Sequence, residues 1–151
     1  LKSSQDIIDN YVSNGGRLVI QYNTASRDRV LEKIGPVQFS LSRDRVTIET
    51  TEPKFLVKSH LQMKSPNQLN KKDFEGWVQE RGLYFADSWD SSFVPLISWS
   101  DPGEAQKRGV WIVSEYGKGT VTYCGLSLFR QWREGVPGAY RILANLVGHG
   151  K

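Results

Sequence analysis

The feature that most constrains this chain is a short apolar strand directly after a helix and two glycines. A helix is predicted over residues 5–14; its apolar face comprises Ile7, Ile8, Tyr11 and Val12. Ser4 can cap this helix, and Gly15 with Gly16 ends it. Leu18 to Ile20 are consecutive apolar residues, which is typical of a strand covered on both faces in a parallel sheet. Helix, glycine stop and strand make the second half of a βαβ unit.

The later sequence adds a hairpin and a closing helix to this unit. The stretch RGVWIVSEYGKGTVTYCGL predicts two antiparallel strands around the turn at residues 116–119. Pro137 starts a predicted helix with a strong apolar stripe that ends before Gly148. Short helices are predicted over residues 25–35 and 71–82, and the remaining segments are strand-like or loops. We therefore predict one α/β domain over residues 1–151 with a mixed sheet.

Composition excludes several classes of partner. The net charge of +4 is dispersed among acids, without a run of five like charges, so nucleic-acid binding is not expected. No apolar run approaches the roughly 20 residues of a membrane helix, and we expect a soluble protein. The chain starts at Leu1, immediately before a predicted helix, so we expect it to be a piece of a longer chain. Its compartment, cytoplasmic or exported, stays open.

Residues that commonly carry chemistry are sparse. Cys124 is the only cysteine and lies among apolar residues of a predicted strand, which favours a buried structural role over a nucleophile. His60 and His149 are far apart and lack metal-ligand spacing. We therefore predict no catalytic residue, no metal site and no cofactor in this chain.

Two arginines form the first candidate binding group. If residues 42–46 are extended, Arg43 and Arg45 point to the same face. Two planar guanidinium groups side by side could hold a carboxylate or phosphate. The alternative is that they pair with acids of the same domain, such as Glu49 or Glu80.

A second candidate group places charged or amide residues beside aromatic ones. The segments WVQERG and LFRQWREG contain this pattern, with the aromatic residues Trp77, Tyr84, Phe129 and Trp132 near Gln79, Glu80, Arg81, Arg130 and Gln131. The candidate binding residues are Trp77, Glu80, Arg81, Arg130 and Gln131. Aromatic rings can stack on apolar sugar faces while forked polar groups bind hydroxyls. These residues suit a carbohydrate pocket, although surface salt bridges over an ordinary core would explain them nearly as well.

Longer blocks of the sequence resemble a known family. The blocks are IIDNYVSNGGRLVIQYNT, SLSRDRVTIE, DFEGWVQERGLYFADSWD and VPGAYRILANL. Over almost the whole chain they resemble the C-terminal region of large PIG-L (LmbE-type) deacetylase-family proteins of Bacteroidetes and related bacteria. That region is similar to class I glutamine amidotransferase-like domains of the ThuA-like branch. The resemblance implies a flavodoxin-like three-layer α/β sandwich with a mostly parallel sheet.

The resemblance also implies a bacterial parent that is a zinc-dependent deacetylase of N-acetylated sugars. Its zinc would lie in a separate deacetylase domain, because the His-Pro-Asp-Asp motif is absent here. In amidotransferases the strand matching RLVIQY ends at a cysteine on a tight elbow. Here the elbow falls at Tyr22 to Thr24, so Asn23 and Thr24 are candidate ligand-binding residues without a nucleophile. Such folds have strands before the position of Leu1, so we expect an exposed or intermolecularly paired sheet edge.

Three functions compete at this stage. The first is a non-catalytic accessory module that binds a carbohydrate for the parent deacetylase domain. The second is a structural or interaction domain whose charged segments are internal networks. The third is a hydrolase using Ser26, Ser42 or Ser127, although a serine nucleophile needs a positioned base.

Overall fold

The protein is described by a computed structural model covering residues 4–23 and 34–148. The helices are α1 Gln5–Ser13, α2 Leu61–Lys64, α3 Leu128–Arg133 and α4 Pro137–Gly148, with a 3-10 helix at Lys71–Phe74. The strands are β1 Arg17–Gln21, β2 Phe39–Leu41, β3 Arg45–Val46, β4 Lys54–Phe55, β5 Gly82–Leu83, β6 Ala86–Trp89, β7 Val94–Pro95, β8 Ile97–Ser98, β9 Trp111–Tyr116 and β10 Gly119–Cys124.

The main sheet has four strands in the order β1-β10-β9-β7. β1 is parallel to β10, and β10 is antiparallel to β9, as β9 is to β7. The α/β class and the late hairpin are therefore confirmed. The prediction of a mostly parallel sheet is wrong for the described residues, because β9 and β10 join through a tight turn that reverses the chain direction. Three antiparallel pairs, β2-β6, β3-β5 and β4-β8, complete the strand pairing.

Apolar residues of the main sheet alternate between two clusters on its opposite faces. Ile112, Val121 and Tyr123 pack with Val12 of α1 and with residues from the β2-β6 pair. Their neighbours along the strands pack into the other cluster, which also contains α4 and the tryptophans 77, 99 and 111. Helices consequently cover both faces of the sheet, as the α/β prediction requires.

Buried amide side chains hold α2 and α4 to the sheet. Gln62 donates from Nε2 to the Thr122 hydroxyl over 2.7 Å and accepts from the Trp111 indole over 2.9 Å. The Asn145 amide donates to the Gln62 carbonyl over 3.0 Å. Because each buried polar group has a partner, the network fixes the position of both helices without an unpaired donor.

Several local predictions need correction. Ser4 precedes α1, but its side chain makes no capping hydrogen bond. The helix predicted over residues 71–82 is only the 3-10 helix, since Gly76 adopts φ +70°. The segment VPLISW forms two short strands instead of one. The helix predicted over residues 25–35 falls mostly outside the described residues.

β1 lies at an edge of the main sheet as formed by the described residues. Among the described residues only β10 pairs with it, and Ile20 is the one buried residue of the strand. Helices cover both faces of β1, but the outer backbone edge of this strand has no partner strand among the described residues. No helix in residues 4–23 or 34–148 is long and apolar enough to cross a bilayer.

The contact between α4 and the 3-10 helix gives a stability test. A Cβ at Gly138 would lie 1.9 Å from the Asp73 carbonyl oxygen, so Gly138→Ala must displace backbone. We expect a loss of about 1–3 kcal/mol in the free energy of unfolding, despite the better helix propensity of alanine. Gly148→Ala is the control in the same helix, because its nearest contact would be Pro66 Cδ at 3.9 Å. Urea denaturation measures both; equal stability of the two variants would contradict the close packing.

Candidate functional site

The candidate site forms where β1 ends. Tyr22 follows β1 directly, and its backbone N–H donates to the Cys124 carbonyl over 2.8 Å, which ties this end of β1 to β10. Tyr22 has φ +32°, a conformation that is rare and costly for a residue with a side chain. The backbone therefore bends sharply at Tyr22, the first residue of the predicted elbow, whereas Thr24 lies outside the described residues.

The Glu80 carboxylate accepts hydrogen bonds from Tyr22 and Arg130 beside this elbow. The Tyr22 hydroxyl donates to Glu80 Oε1 over 2.9 Å. Arg130 reaches the same oxygen through Nε at 3.0 Å and Nη2 at 2.9 Å. Both hydrogen bonds and the ion-pair contact are to Oε1, so no other described side chain bonds Glu80 Oε2 or Arg130 Nη1. The Glu80 side chain is 17% exposed and that of Arg130 is 34% exposed, so a ligand from solvent can reach the pair.

Aromatic rings surround the Glu80–Arg130 ion pair. The Tyr22 ring contacts Phe129 edge-on at 4.8 Å between centroids and Tyr84 at 5.9 Å. The Arg130 guanidinium lies over the Phe129 ring at 5.0 Å. Phe129 remains 37% exposed. We call this group of Tyr22, Glu80, Tyr84, Phe129 and Arg130 the elbow cleft.

Protonation states in the cleft follow from burial and from these bonds. Burial raises the pKa of the Tyr22 phenol, and its bond to Glu80 raises it further. Burial alone would raise the pKa of the Glu80 carboxyl, but hydrogen bonds from Tyr22 and Arg130 and the charge of Arg130 together lower it. At neutral pH the site therefore presents a neutral phenol and an ionised carboxylate. Neither is an activated nucleophile, and a carboxylate with a lowered pKa is a weak base.

Helix α3 fixes the segment that carries Glu80. The Gln131 amide accepts from the Val78 N–H over 2.8 Å and donates to the Val78 carbonyl over 3.0 Å. The Ser127 N–H donates to the Arg81 carbonyl over 3.0 Å. Gln131 is fully buried, so its expected role in ligand binding is wrong: its amide is already used by backbone of its own chain.

Arg81 points into the protein, away from the cleft. Its side chain is 2% exposed, and Nη1 donates to the carbonyls of Trp77 and Gln79, each over 2.9 Å. Nη2 donates to the Glu49 carbonyl. Burial lowers the pKa of the Arg81 guanidinium, and the charge of Glu49 opposes this shift. The prediction that Arg81 binds a ligand is therefore wrong, and its guanidinium holds loop backbone instead.

Trp77 is a core residue and cannot serve as a sugar platform. It is 3% exposed, stacks on Phe74 at 5.3 Å and packs against Trp99 at 6.4 Å between centroids. Its indole N–H donates to the Asp73 carbonyl over 2.9 Å. Burial of both ring faces leaves no surface for a ligand, which corrects the sequence prediction.

The arginine pair lies apart from the acids proposed for it. Arg43 and Arg45 are both exposed, and neither makes an ion pair with Glu49 or Glu80. Glu80 is taken by Arg130, and Glu49 accepts from the Gln79 N–H over 3.0 Å. The expected pairing is therefore wrong, and no contact joins these arginines to the elbow cleft. A common anion site for Arg43 and Arg45 stays a prediction.

The remaining candidates have varied outcomes. Asn23 follows Tyr22 and is half-buried, whereas Thr24 and Ser26 lie outside the described residues. Ser42 accepts from the Asp44 N–H and donates to the Phe85 carbonyl, so it closes a turn. Ser127 is fully buried and has no base within hydrogen-bonding distance among the described residues. The described part of the chain contains no cluster of three potential metal ligands.

The sequence prediction missed Tyr22 as a binding residue. Tyr84, which has φ +59°, and Phe129 also lie in the cleft, and both belong to the aromatic residues expected beside the charged ones. An available signal was the position of Tyr22 at the carboxyl end of a buried-type strand, where ligands are commonly bound in α/β sheets.

Comparison with known proteins adds information on the fold alone. No family model and no curated protein matches the chain. Nine chains of known structure match it, among them the cytoplasmic protein STM3548 from Salmonella typhimurium. That protein is 16% identical with a TM-score of 0.54, and the match covers 95% of this chain and 58% of the other. This chain therefore spans somewhat over half the length of its structural neighbour, and the likeness concerns the α/β fold.

Cys124 gives a chemical test of whether its thiol is buried and unreactive. The thiol is fully buried, and burial raises its pKa to about 12. At pH 8 we expect almost no thiolate, and hence no labelling of the native protein by a thiol reagent within the time that free cysteine reacts completely. Labelling in denaturant is the positive control. Rapid labelling of the native protein would show that Cys124 is accessible and revive it as a nucleophile.

The lowered pKa of Glu80 gives a pH-dependent test. Its bonds to Tyr22 and Arg130 stabilise the charged form, so this contribution is present above about pH 4.5 and is lost as the pH falls through the lowered pKa. We expect Glu80→Gln to cost about 1–2 kcal/mol at pH 7 and progressively less in acid, by urea denaturation from pH 7 to pH 3. Glu75→Gln, at an exposed carboxylate, is the control and should change stability at pH 7 by less than about 0.5 kcal/mol. A cost for Glu80→Gln that does not change with pH would contradict the charged pair.

Proposed function

We propose that this chain is a non-catalytic accessory domain that binds a carbohydrate through the elbow cleft. The observation that carries the proposal is the incomplete pairing of Glu80 and Arg130. Because the described side chains contact Glu80 only at Oε1, and Arg130 uses only Nε and Nη2 in this pair, Glu80 Oε2 is available as an acceptor beside the bond from the Glu80 backbone N–H, and Arg130 Nη1 is available as a donor. Neighbouring sugar hydroxyls can donate to the first and accept from the second.

The aromatic residues of the cleft support the same class of ligand. Phe129 exposes part of its ring next to the charged pair, so an apolar sugar face could lie on it while the hydroxyls reach Glu80 and Arg130.

The lack of an activated nucleophile supports the non-catalytic part of the proposal. In this proposal Tyr22 takes the position of the nucleophile of an amidotransferase-like fold, and burial and the bond to Glu80 raise the pKa of its phenol. Cys124 is buried in β10 with its thiol protonated. A carboxylate held by an arginine and a neutral phenol can orient a ligand by hydrogen bonds, but the pair does not generate an attacking group.

The resemblance to PIG-L-type proteins supplies the setting in this proposal. The domain would have the flavodoxin-like, amidotransferase-like fold, and it would belong to a bacterial N-acetylsugar deacetylase with zinc in the deacetylase domain. That domain would be its partner within the parent chain. The motivation is the set of long sequence blocks, of which DFEGWVQERGLYFADSWD contributes Glu80 and Tyr84 to the cleft.

A purely structural or interaction domain is the second candidate. It is favoured by the side chains of Arg81, Gln131 and Trp77, which hydrogen-bond to backbone of the same chain; only Arg81 Nε among their polar atoms is buried without a partner in the described residues. In that case the pair of Glu80 and Arg130 would be one more internal bond between α3 and the segment before β5. This candidate predicts loss of stability on substitution and no ligand.

Calorimetry distinguishes the two candidates. We expect N-acetylated saccharides, tested as mono- and oligosaccharides, to bind the wild type. Glu80→Gln and Arg130→Ala should weaken binding at least tenfold, because each removes a charge-assisted hydrogen bond to the sugar. Arg133→Ala is the matched control, since Arg133 is exposed on the same helix and carries the same charge.

Stability measured on the same variants completes the test. If the variants retain their fold, by near-UV circular dichroism, and lose binding while Arg133→Ala binds normally, the carbohydrate proposal is supported. No heat with any glycan, together with reduced stability of Glu80→Gln and Arg130→Ala, would favour the structural candidate.

A further inference from the structure

The outer edge of β1 has no partner strand among the described residues. Thr120 N–H donates to the Gly16 carbonyl, and Tyr22 N–H donates to the Cys124 carbonyl, so even-numbered residues direct their backbone groups to β10. In a parallel ladder the alternate residues point the other way. The backbone groups of Arg17, Val19 and Gln21 therefore face outward, and no strand in residues 4–23 or 34–148 pairs with them.

The two edges of the main sheet are protected differently. β7, at the far edge, is short and contains Pro95, which has no N–H to offer to another strand. β1 has five residues, its sequence is RLVIQ, and it contains no proline and a single charge, at its first position. Natural sheet edges normally carry a device against pairing, and β1 lacks one.

Apolar residues on the neighbouring helices extend this edge into a surface. Ile7 and Tyr11 lie one turn apart on α1 and are 70% and 56% exposed. Val147 of α4, which is 58% exposed, lies in a groove together with Tyr11, Gly16 and Val19. The groove therefore runs past the strand edge from one helix to the other. In addition, the side-chain amide nitrogen of Gln21 is buried without a hydrogen-bond partner among the described residues.

We propose that β1 pairs antiparallel with β1 of a second copy of this chain, across a two-fold axis at Val19. The two Val19 residues then form a hydrogen-bonded pair, and the Gln21 N–H of each copy meets the Arg17 carbonyl of the other. This register faces Arg17 with the neutral Gln21, so no like charges meet. The Arg17 N–H keeps its contact with the Tyr11 hydroxyl at 3.4 Å.

Two-fold pairing also accounts for the exposed apolar residues. A two-fold axis at the edge brings α1 towards α1 of the other copy on one face and α4 towards α4 on the other, which covers Ile7, Tyr11 and Val147. Backbone hydrogen bonds alone would leave a small interface, whereas a stable one needs apolar burial in its centre. A second copy of the chain supplies both the backbone hydrogen bonds and the apolar burial from the same surface.

Light scattering coupled to size exclusion tests the proposal on the 151-residue chain. We expect a dimer that dissociates on dilution. Val147→Lys, which places two ammonium groups across the axis, should weaken the dimer at least tenfold. Val94→Lys is the matched control on β7, where Val94 is 40% exposed, and should leave the dimer unchanged. Because both positions are exposed, both variants are expected to fold.

Amide hydrogen exchange locates the interface. We expect the Val19 and Gln21 amides to be protected in the dimer and to exchange faster in Val147→Lys. A wild-type monomer at all concentrations would overturn the proposal. A dimer in which these amides exchange freely would also overturn it, as would their protection in a monomer, which would mean that other residues of the chain cover the edge.

Discussion

The elbow cleft depends on the buried guanidinium of Arg81. This cation holds carbonyl groups of residues 49, 77 and 79 inside the protein, and the residue before it, Glu80, consequently points the other way into the cleft. Gln79 has φ +57°, a conformation that costs free energy and persists only where other bonds impose it. No carboxylate of the described residues bonds the Arg81 guanidinium, so the dipoles of these backbone carbonyls stabilise its charge in place of water. Breaking this arrangement would release the loop and with it the acceptor of the cleft.

Elements with a strong local signal were predictable. Helix α1, the β9–β10 hairpin and α4 follow from apolar spacing, glycine stops and the Tyr116–Gly119 turn, and each lies within a residue or two of its expected bounds. The order of strands was not predictable in the same way, because it depends on which distant segments pair. The apolar run of β1 indicates burial on two faces, and helices do lie on both faces. It carries no information about whether a strand lies on each side.

The candidate site was predictable as a region but not residue by residue. Glu80 and Arg130 lie in the cleft as expected, whereas their chain neighbours Arg81 and Gln131 are buried. Residue type does not distinguish the buried residues from those in the cleft, because arginine and glutamine side chains hydrogen-bond loop carbonyls as readily as ligands. What separates them is the direction of each side chain, which is set by the strained backbone at Gln79 and by the packing of α3. Trp77 shows the same limit, because a tryptophan beside polar residues can equally be a core anchor.

The unequal edges of the main sheet set a limit on its growth. Pro95 closes one side of the sheet, so a strand can be added only beside β1. Growth of this sheet into a cross-β filament would require two complementary edges, and the main sheet offers one among the described residues. A partner strand bound beside β1 therefore ends the main sheet. Pro95 on β7 thus prevents the sheet from growing into an aggregate although β1 itself is unprotected.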